Sequence, residues 1–199
     1  FVDAGGYKEK KYWKHEFVKD GKTISWEDAM AHFTDKTGRS GPANWELGHY
    51  PEGHDDYPVC GVSWYEASAF AEYAGKTLPT VYHWNKAAGV YDTAATSMTN
   101  TSMIQPMVEN SNFKSHGPAP AGAHRGISPF GTLDMAGNVR EWAWNGAPGG
   151  KYLLGGAWGR PEYLFFETPE LLSPFDRTSA NGFRCMKLLG DRPVPTAAA

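Results

Sequence analysis

Glycine and proline interrupt this chain from end to end, 23 Gly and 14 Pro among 199 residues, without gathering into a low-complexity run. Punctuation this dense shortens every regular element, because proline removes an amide donor and glycine loosens the backbone. Apolar mass comes instead from eight Trp, ten Tyr and ten Phe. The sequence therefore reads as one loop-rich α+β domain stapled by large aromatic side chains, at a length suited to a single core.

Within that frame a few segments carry firm local signals. Phe1 to Gly6 reads as the last turn of a helix closing on glycine, so the chain is expected to start inside a larger domain. Ser25 caps a helix that Gly38 is expected to end, with Asp28 three residues on, near the positive helix end. Arg39 to Tyr57 reads as a long structured loop, and Val59-Cys60-Gly61-Val62 as a short strand. Ser63-Trp64-Tyr65-Glu66 is a capping box, and Ala67, Phe70, Ala71 and Ala74 give the following helix, which runs to Gly75, one apolar face. Thr80 caps the other main helix, through Trp84 and Ala88, and a loop runs from Gly89 to Thr101. Short strands are expected at Met107-Val108, 131–133, Val139 to Trp144, Tyr152 to Gly156 and Phe183 to Lys187. The tail from 190 to 199 reads as a Pro/Ala linker.

Charge narrows the function. Nineteen Lys and Arg against 22 Asp and Glu leave a net charge of −3, with no run of like charge, which argues against a nucleic-acid partner held through phosphates. No apolar stretch is long enough for a membrane segment. Localisation has no signature. Two cysteines, Cys60 and Cys185, cannot build a cysteine-rich zinc cage.

Five ordered segments then converge on one family: Pro58 to Trp64, Ala74 to Thr80, Asp134-Met135-Ala136-Gly137-Asn138-Val139-Arg140-Glu141-Trp142, Gly155-Gly156-Ala157-Trp158, and Asn181-Gly182-Phe183-Arg184-Cys185. Together they resemble the sulfatase-modifying-factor, or formylglycine-generating-enzyme, family over residues 1–189. The resemblance implies a C-type-lectin-like α+β fold with two main helices, short antiparallel strands and much irregular loop. In oxidase members it implies two copper-binding cysteines after the Gly-Gly-x-aromatic motif, and the matching positions here are Arg160 and Phe165. Neither can ligate copper, so copper and formylglycine-generating activity are not expected. Cys185 matches a structural cysteine of the family whose usual partner falls at Ala71, so both thiols are expected to be free and buried.

The resemblance also implies ligands. Trp158, Arg160, Glu162 and Tyr163 follow the family's ligand-facing strand, with Asp176 and Arg177 expected nearby. Arg160 offers a planar fork for a carboxylate, while Trp158 or Tyr163 offers a flat wall for a small molecule or peptide. The structural alternative has Trp158 in the core and Arg160 paired with Glu162 or Asp176. A structural calcium is implied at Asp134, Gly137, Val139 and Glu141, carboxylates at the ends and carbonyls between. Its alternative has Asp134 and Glu141 pairing with Arg140 or Lys151. The family's other calcium site, near Asn112 and Phe113, is expected to be empty. His49, His54, Asp55 and Asp56 form a string able to bind a transition metal, although loop polarity explains it more simply.

The expected role is a ligand-binding or accessory domain of a larger protein. Related domains extend bacterial Ser/Thr protein kinases, which makes such a kinase a candidate parent chain. The alternative is a non-haem iron oxidoreductase domain related to sulfoxide synthases of the ergothioneine pathway, with its iron ligands outside this chain. Ser173 to Arg177 loosely resembles their substrate-binding stretch.

Overall fold

The computed structural model describes residues 1–90, 104–166 and 169–189. The Pro/Ala tail and most of the loop expected between Gly89 and Thr101 lie outside them.

Three short helices form where their caps dictate. Helix α1 (Trp26–His32) starts at Ser25, whose hydroxyl accepts the Asp28 amide. It ends at Phe33 rather than Gly38, because Asp35 folds the chain back by accepting bonds from the Thr37, Arg39 and Gly48 amides. In α2 (Trp64–Tyr73) both reciprocal bonds of the capping box form between Ser63 and Glu66. Thr80 caps α3 (Val81–Ala88), and Gly89 closes it at φ 80°, a left-handed conformation that glycine adopts without a Cβ clash.

Residues 104–109, where a strand was expected, are helical. Ile104, Met107 and Val108 are all buried, and their spacing puts them on one helical face. Phe1 to Gly5 is a turn, in which the Gly6 amide donates to the Phe1 carbonyl.

The small sheet pairs β1 (Val18–Lys19) with β2 (Lys22–Thr23). The main sheet holds β3 (Arg140–Ala147), β4 (Gly150–Leu154), β5 (Glu170–Leu172) and β6 (Asn181–Gly182), in the order β5-β4-β3-β6. Its β3–β6 pair is parallel, against the expectation of antiparallel pairing throughout. The segments 59–62, 131–133 and 183–187 contribute isolated bridges rather than strands, Cys60 to Gly182, Ile127 to Leu133 and Thr77 to Met186.

Two tryptophans lock α2 to β3. Trp64 Nε1 donates to the Ala143 carbonyl at 2.8 Å and Trp142 Nε1 to the Val62 carbonyl at 2.9 Å. Both rings are buried, so truncating either to Ala should cost about 3–5 kcal/mol. Around them Trp13, Phe17, Phe33 and Tyr65 fill one core, while Trp84, Met107, Phe113, Met135 and Phe165 fill a second. The turn before β3 lies between the 112–113 segment and the Gly155 loop. A Cβ on Gly137, at φ +68°, would meet the Asn112 carbonyl oxygen at 2.6 Å, so this position requires glycine.

Candidate functional site

The six residues expected to form one ligand groove are dispersed. Arg177 is half-buried beneath the 32–41 segment, with Nε and Nη2 on Glu66 at 2.9 Å and its other bonds to the His32, Thr34 and Gly41 carbonyls. It anchors structure. Asp176 accepts from the Thr178 amide and from Asn181 Nδ2, shaping the turn into β6. Glu162 pairs with Lys114 at 3.5 Å, and Tyr163 stands 61% exposed at the surface. Trp158 faces a different cavity, beside Trp45, Tyr57 and Cys60.

Arg160 alone opens onto a cavity of about 480 Å³ at the end of the main sheet. The fold supplies its companions from far apart in sequence. Arg140 and Trp142 alternate onto one face of β3, and Trp142, Leu153 and Glu170 are neighbours across three strands, so Arg140 and Glu170 share that face. The Arg140 Nη1 ion pair with Glu170 follows. Arg160 Nη2 stands 3.9 Å from the same Glu170 oxygen, which replaces both partners expected for it, Glu162 and Asp176.

Trp84 and Phe165 form an aromatic wall, their ring centroids 6.2 Å apart. Among the described residues, the charged ones lining the cavity are Arg140, Arg160 and Glu170. Arg160 and Phe165, the two positions expected to match the oxidase cysteines, both line this cavity, one with a guanidinium and the other with a phenyl ring.

The turn from Asp134 to Glu141 converges on a different arginine from either expected partner. Arg184 Nε and Nη2 donate to the Glu141 carboxylate at 2.5 and 2.7 Å, and Nη2 also reaches the Leu133 and Asp134 carbonyls. Trp84 Nε1 adds a third bond to Glu141, at 2.6 Å. Asp134 Oδ2 accepts the Gly122 amide at 2.6 Å. Arg140 and Lys151 go elsewhere, Lys151 to the face of Trp64. A calcium ion here would thus have to share Glu141 with a guanidinium. No group of three or more His, Cys, Asp or Glu side chains forms a metal-ligand cluster among the described residues. In the His49 to Asp56 loop, His54 stacks on Tyr57 and Asp55 accepts the Tyr50 hydroxyl.

Both cysteines are free, Cys60 buried and Cys185 half-buried. Burial raises the Cys60 thiol above its ordinary pKa and pushes Cys185 up to about 11, so both are neutral thiols at physiological pH.

The described residues form a mixed helix and sheet domain whose two neutral thiols lie outside the cavity that Arg160 lines. The chain belongs to the sulfatase-modifying factor enzyme 1-like domain family, which it matches over residues 1–189. It is 30% identical over 155 residues to a hercynine oxygenase of Mycobacterium tuberculosis, covering 71% of this chain and 33% of that protein. It is 32% identical over 163 residues to the serine/threonine-protein kinase pkn1 of Chlamydia caviae, covering 68% of this chain and 25% of the kinase. Similarity extends to an inactive C-alpha-formylglycine-generating enzyme 2 of Bos taurus, 29% identical, with 69% of this chain and 52% of that protein covered. The chain thus spans about a third of the oxygenase and a quarter of the kinase.

Arg140, Glu170 and Trp84 were not expected from sequence to line this cavity; Arg140 was expected only as an alternative partner for Asp134 and Glu141. Arg140 left a trace, a charge two residues from Trp142 and four from Trp144 in the same strand. Glu170 left none, because its place depends on how β5 pairs with β4.

Proposed function

We propose that this chain is a ligand-binding or accessory domain of a larger protein, using its family's scaffold without the oxidase chemistry. The observation that carries this reading is the pair Arg160 and Phe165 lining one cavity at the two positions that match the copper thiolates. A guanidinium and a phenyl ring offer Cu(I) no soft ligand. Cys60 and Cys185 do not replace them, since neither lines that cavity. The inactive bovine relative supports the reading by showing that the family includes a member named for lacking the activity. Kinase relatives support a multidomain parent, with this domain as one part of it. A C-type-lectin-like arrangement, with short strands and long loops around two cores, belongs to the same proposal.

Incubation with a cysteine-containing sulfatase peptide, with and without copper, tests the claim by mass spectrometry. No mass loss is expected, and conversion to formylglycine would overturn it. A second reading, a non-haem iron oxidoreductase domain completed by ligands outside this chain, is favoured by the hercynine oxygenase similarity. Stoichiometric iron in a longer parent protein, required for turnover, would establish that reading over ours.

Structural calcium at the Asp134 to Glu141 turn is a further part of the proposal. Asp134 and the Gly137 and Val139 carbonyls would supply hard oxygens, with Glu141 bridging the ion and Arg184. Such an ion would hold loops together and perform no chemistry.

A further inference from the structure

We propose that the cavity at the end of the main sheet is a carboxylate-binding site whose arginine fork is occupied by Glu170 until a ligand carboxylate takes its place. The inference rests on the binding-domain reading and names the class of ligand.

Arg177 spends all its nitrogens, with two bonds to Glu66 and three to backbone carbonyls. Arg184 makes two bonds to Glu141 and two to carbonyls. The Arg140 side chain is only 8% exposed, yet its sole acceptor among the described residues is Glu170, reached through Nη1. Its Nε is buried with no acceptor among the described residues. A guanidinium carries five N–H donors, and leaving them unpaired in a low-dielectric site costs free energy that an added acceptor returns. The unspent donors belong to a residue that lines the cavity.

Arg160 stands opposite with its side chain 48% exposed and is 3.9 Å from Glu170, beyond hydrogen-bond distance. Two guanidinium groups thus surround one carboxylate, and the planar fork of arginine pairs with a carboxylate through two parallel bonds. Glu170 shows which chemistry the fork accepts, because it is itself a carboxylate supplied by the protein. Its side chain is 44% exposed at the edge of the sheet, so it can swing into solvent at little cost. Trp84, Leu164 and Phe165 then give the ligand's apolar body its wall. A small organic acid with an aromatic or aliphatic body, or the free C-terminus of a peptide, presents this combination.

Titration calorimetry on the full chain tests the assignment with N-acetylphenylalanine, its primary amide, phenyl phosphate, and a five-residue peptide ending in phenylalanine as free acid or amide. N-acetylphenylalanine should bind about tenfold or more tightly than its amide, because loss of a charge-assisted pair is worth at least that factor. It should also bind more tightly than phenyl phosphate, whose bulkier tetrahedral head does not match the place a planar glutamate carboxylate fills. The peptide pair then separates the two sources: a free-acid peptide binding more tightly than N-acetylphenylalanine assigns the site to chain termini, and the reverse order to small acids. Arg160→Ala should weaken the acid about tenfold and leave the amide unchanged.

Glu170→Gln should tighten the acid about three- to tenfold, by removing the competitor, with the fold checked by near-ultraviolet circular dichroism. Equal affinity for acid and amide, preference for the phosphate, absence of binding by every probe, or Glu170→Gln leaving the acid's affinity unchanged would each overturn this inference while leaving the non-oxidase reading intact. Formylglycine production would overturn that reading instead.

Discussion

Replacing Arg177 by Met should unfold the domain under much milder conditions, because it strands a carboxylate inside the core. Glu66 is 2% exposed and sits where α2 begins, taking bonds from the Ser63 amide, the Tyr7 hydroxyl and the Nε–Nη2 edge of the Arg177 guanidinium. Breaking a buried ion pair from one side costs about 3–5 kcal/mol, a large share of the roughly 5–15 kcal/mol that stabilises a typical domain. At about 2–4 °C per kcal/mol for a chain of this size, a loss near 4 kcal/mol lowers Tm by roughly 8–16 °C.

Urea denaturation should show a lower midpoint with an unchanged slope. The double variant Glu66→Gln, Arg177→Met should recover at least about 1.5 kcal/mol of that loss, since a neutral amide tolerates burial better than an unpaired anion while still capping the helix. A loss below about 1 kcal/mol for Arg177→Met, or a double variant no more stable than the single one, would refute the reasoning.

Other measurements bear on separate parts of the molecule. His15 packs against Trp64 and Trp144 with ring centroids at 4.6 and 4.9 Å, and burial, followed by the nearby Lys151 ammonium, lowers its pKa to about 4. The unfolded imidazole titrates near 6.5, so between about pH 4 and 6.5 the unfolded chain binds the extra proton and stability falls as pH drops. Discounted for partial exposure, the loss is on the order of 1–2 kcal/mol, and His15→Phe should flatten it; the same slope in that variant would assign it to other groups. If calcium occupies the Asp134 to Glu141 turn, chelation lowers Tm, calcium at a hundredfold excess over Kd restores about 2–3 kcal/mol, and Asp134→Ala abolishes the response; melting curves indifferent to chelator and calcium count against the site. A thiol reagent should modify both cysteines promptly after denaturation and only slowly before it, whereas no titratable thiol in unreduced protein would mean that Cys60 and Cys185 are paired.

The sequence by itself determined what is encoded within a few residues. Ser25, Ser63 and Thr80 set the helix starts because a cap is a bond between positions three apart, and the order of five short motifs sufficed to place the chain in its family. Through the family resemblance it also gave the expectation that Arg160 and Phe165 stand where the oxidases keep cysteines.

Tertiary structure alone decided how charges are shared. Arg177 was expected at a ligand and went instead to Glu66, 111 residues away, while Glu141 took Arg184 rather than its neighbour Arg140. Arg140 was thereby left to Glu170 across the sheet. An arginine's side chain is long enough to reach several carboxylates, and which one it meets is set by strand pairing and by the packing of Trp64, Trp84 and Trp142 around them. No spacing along the chain records that choice, because ion-pair energy depends on distance and burial in the folded molecule.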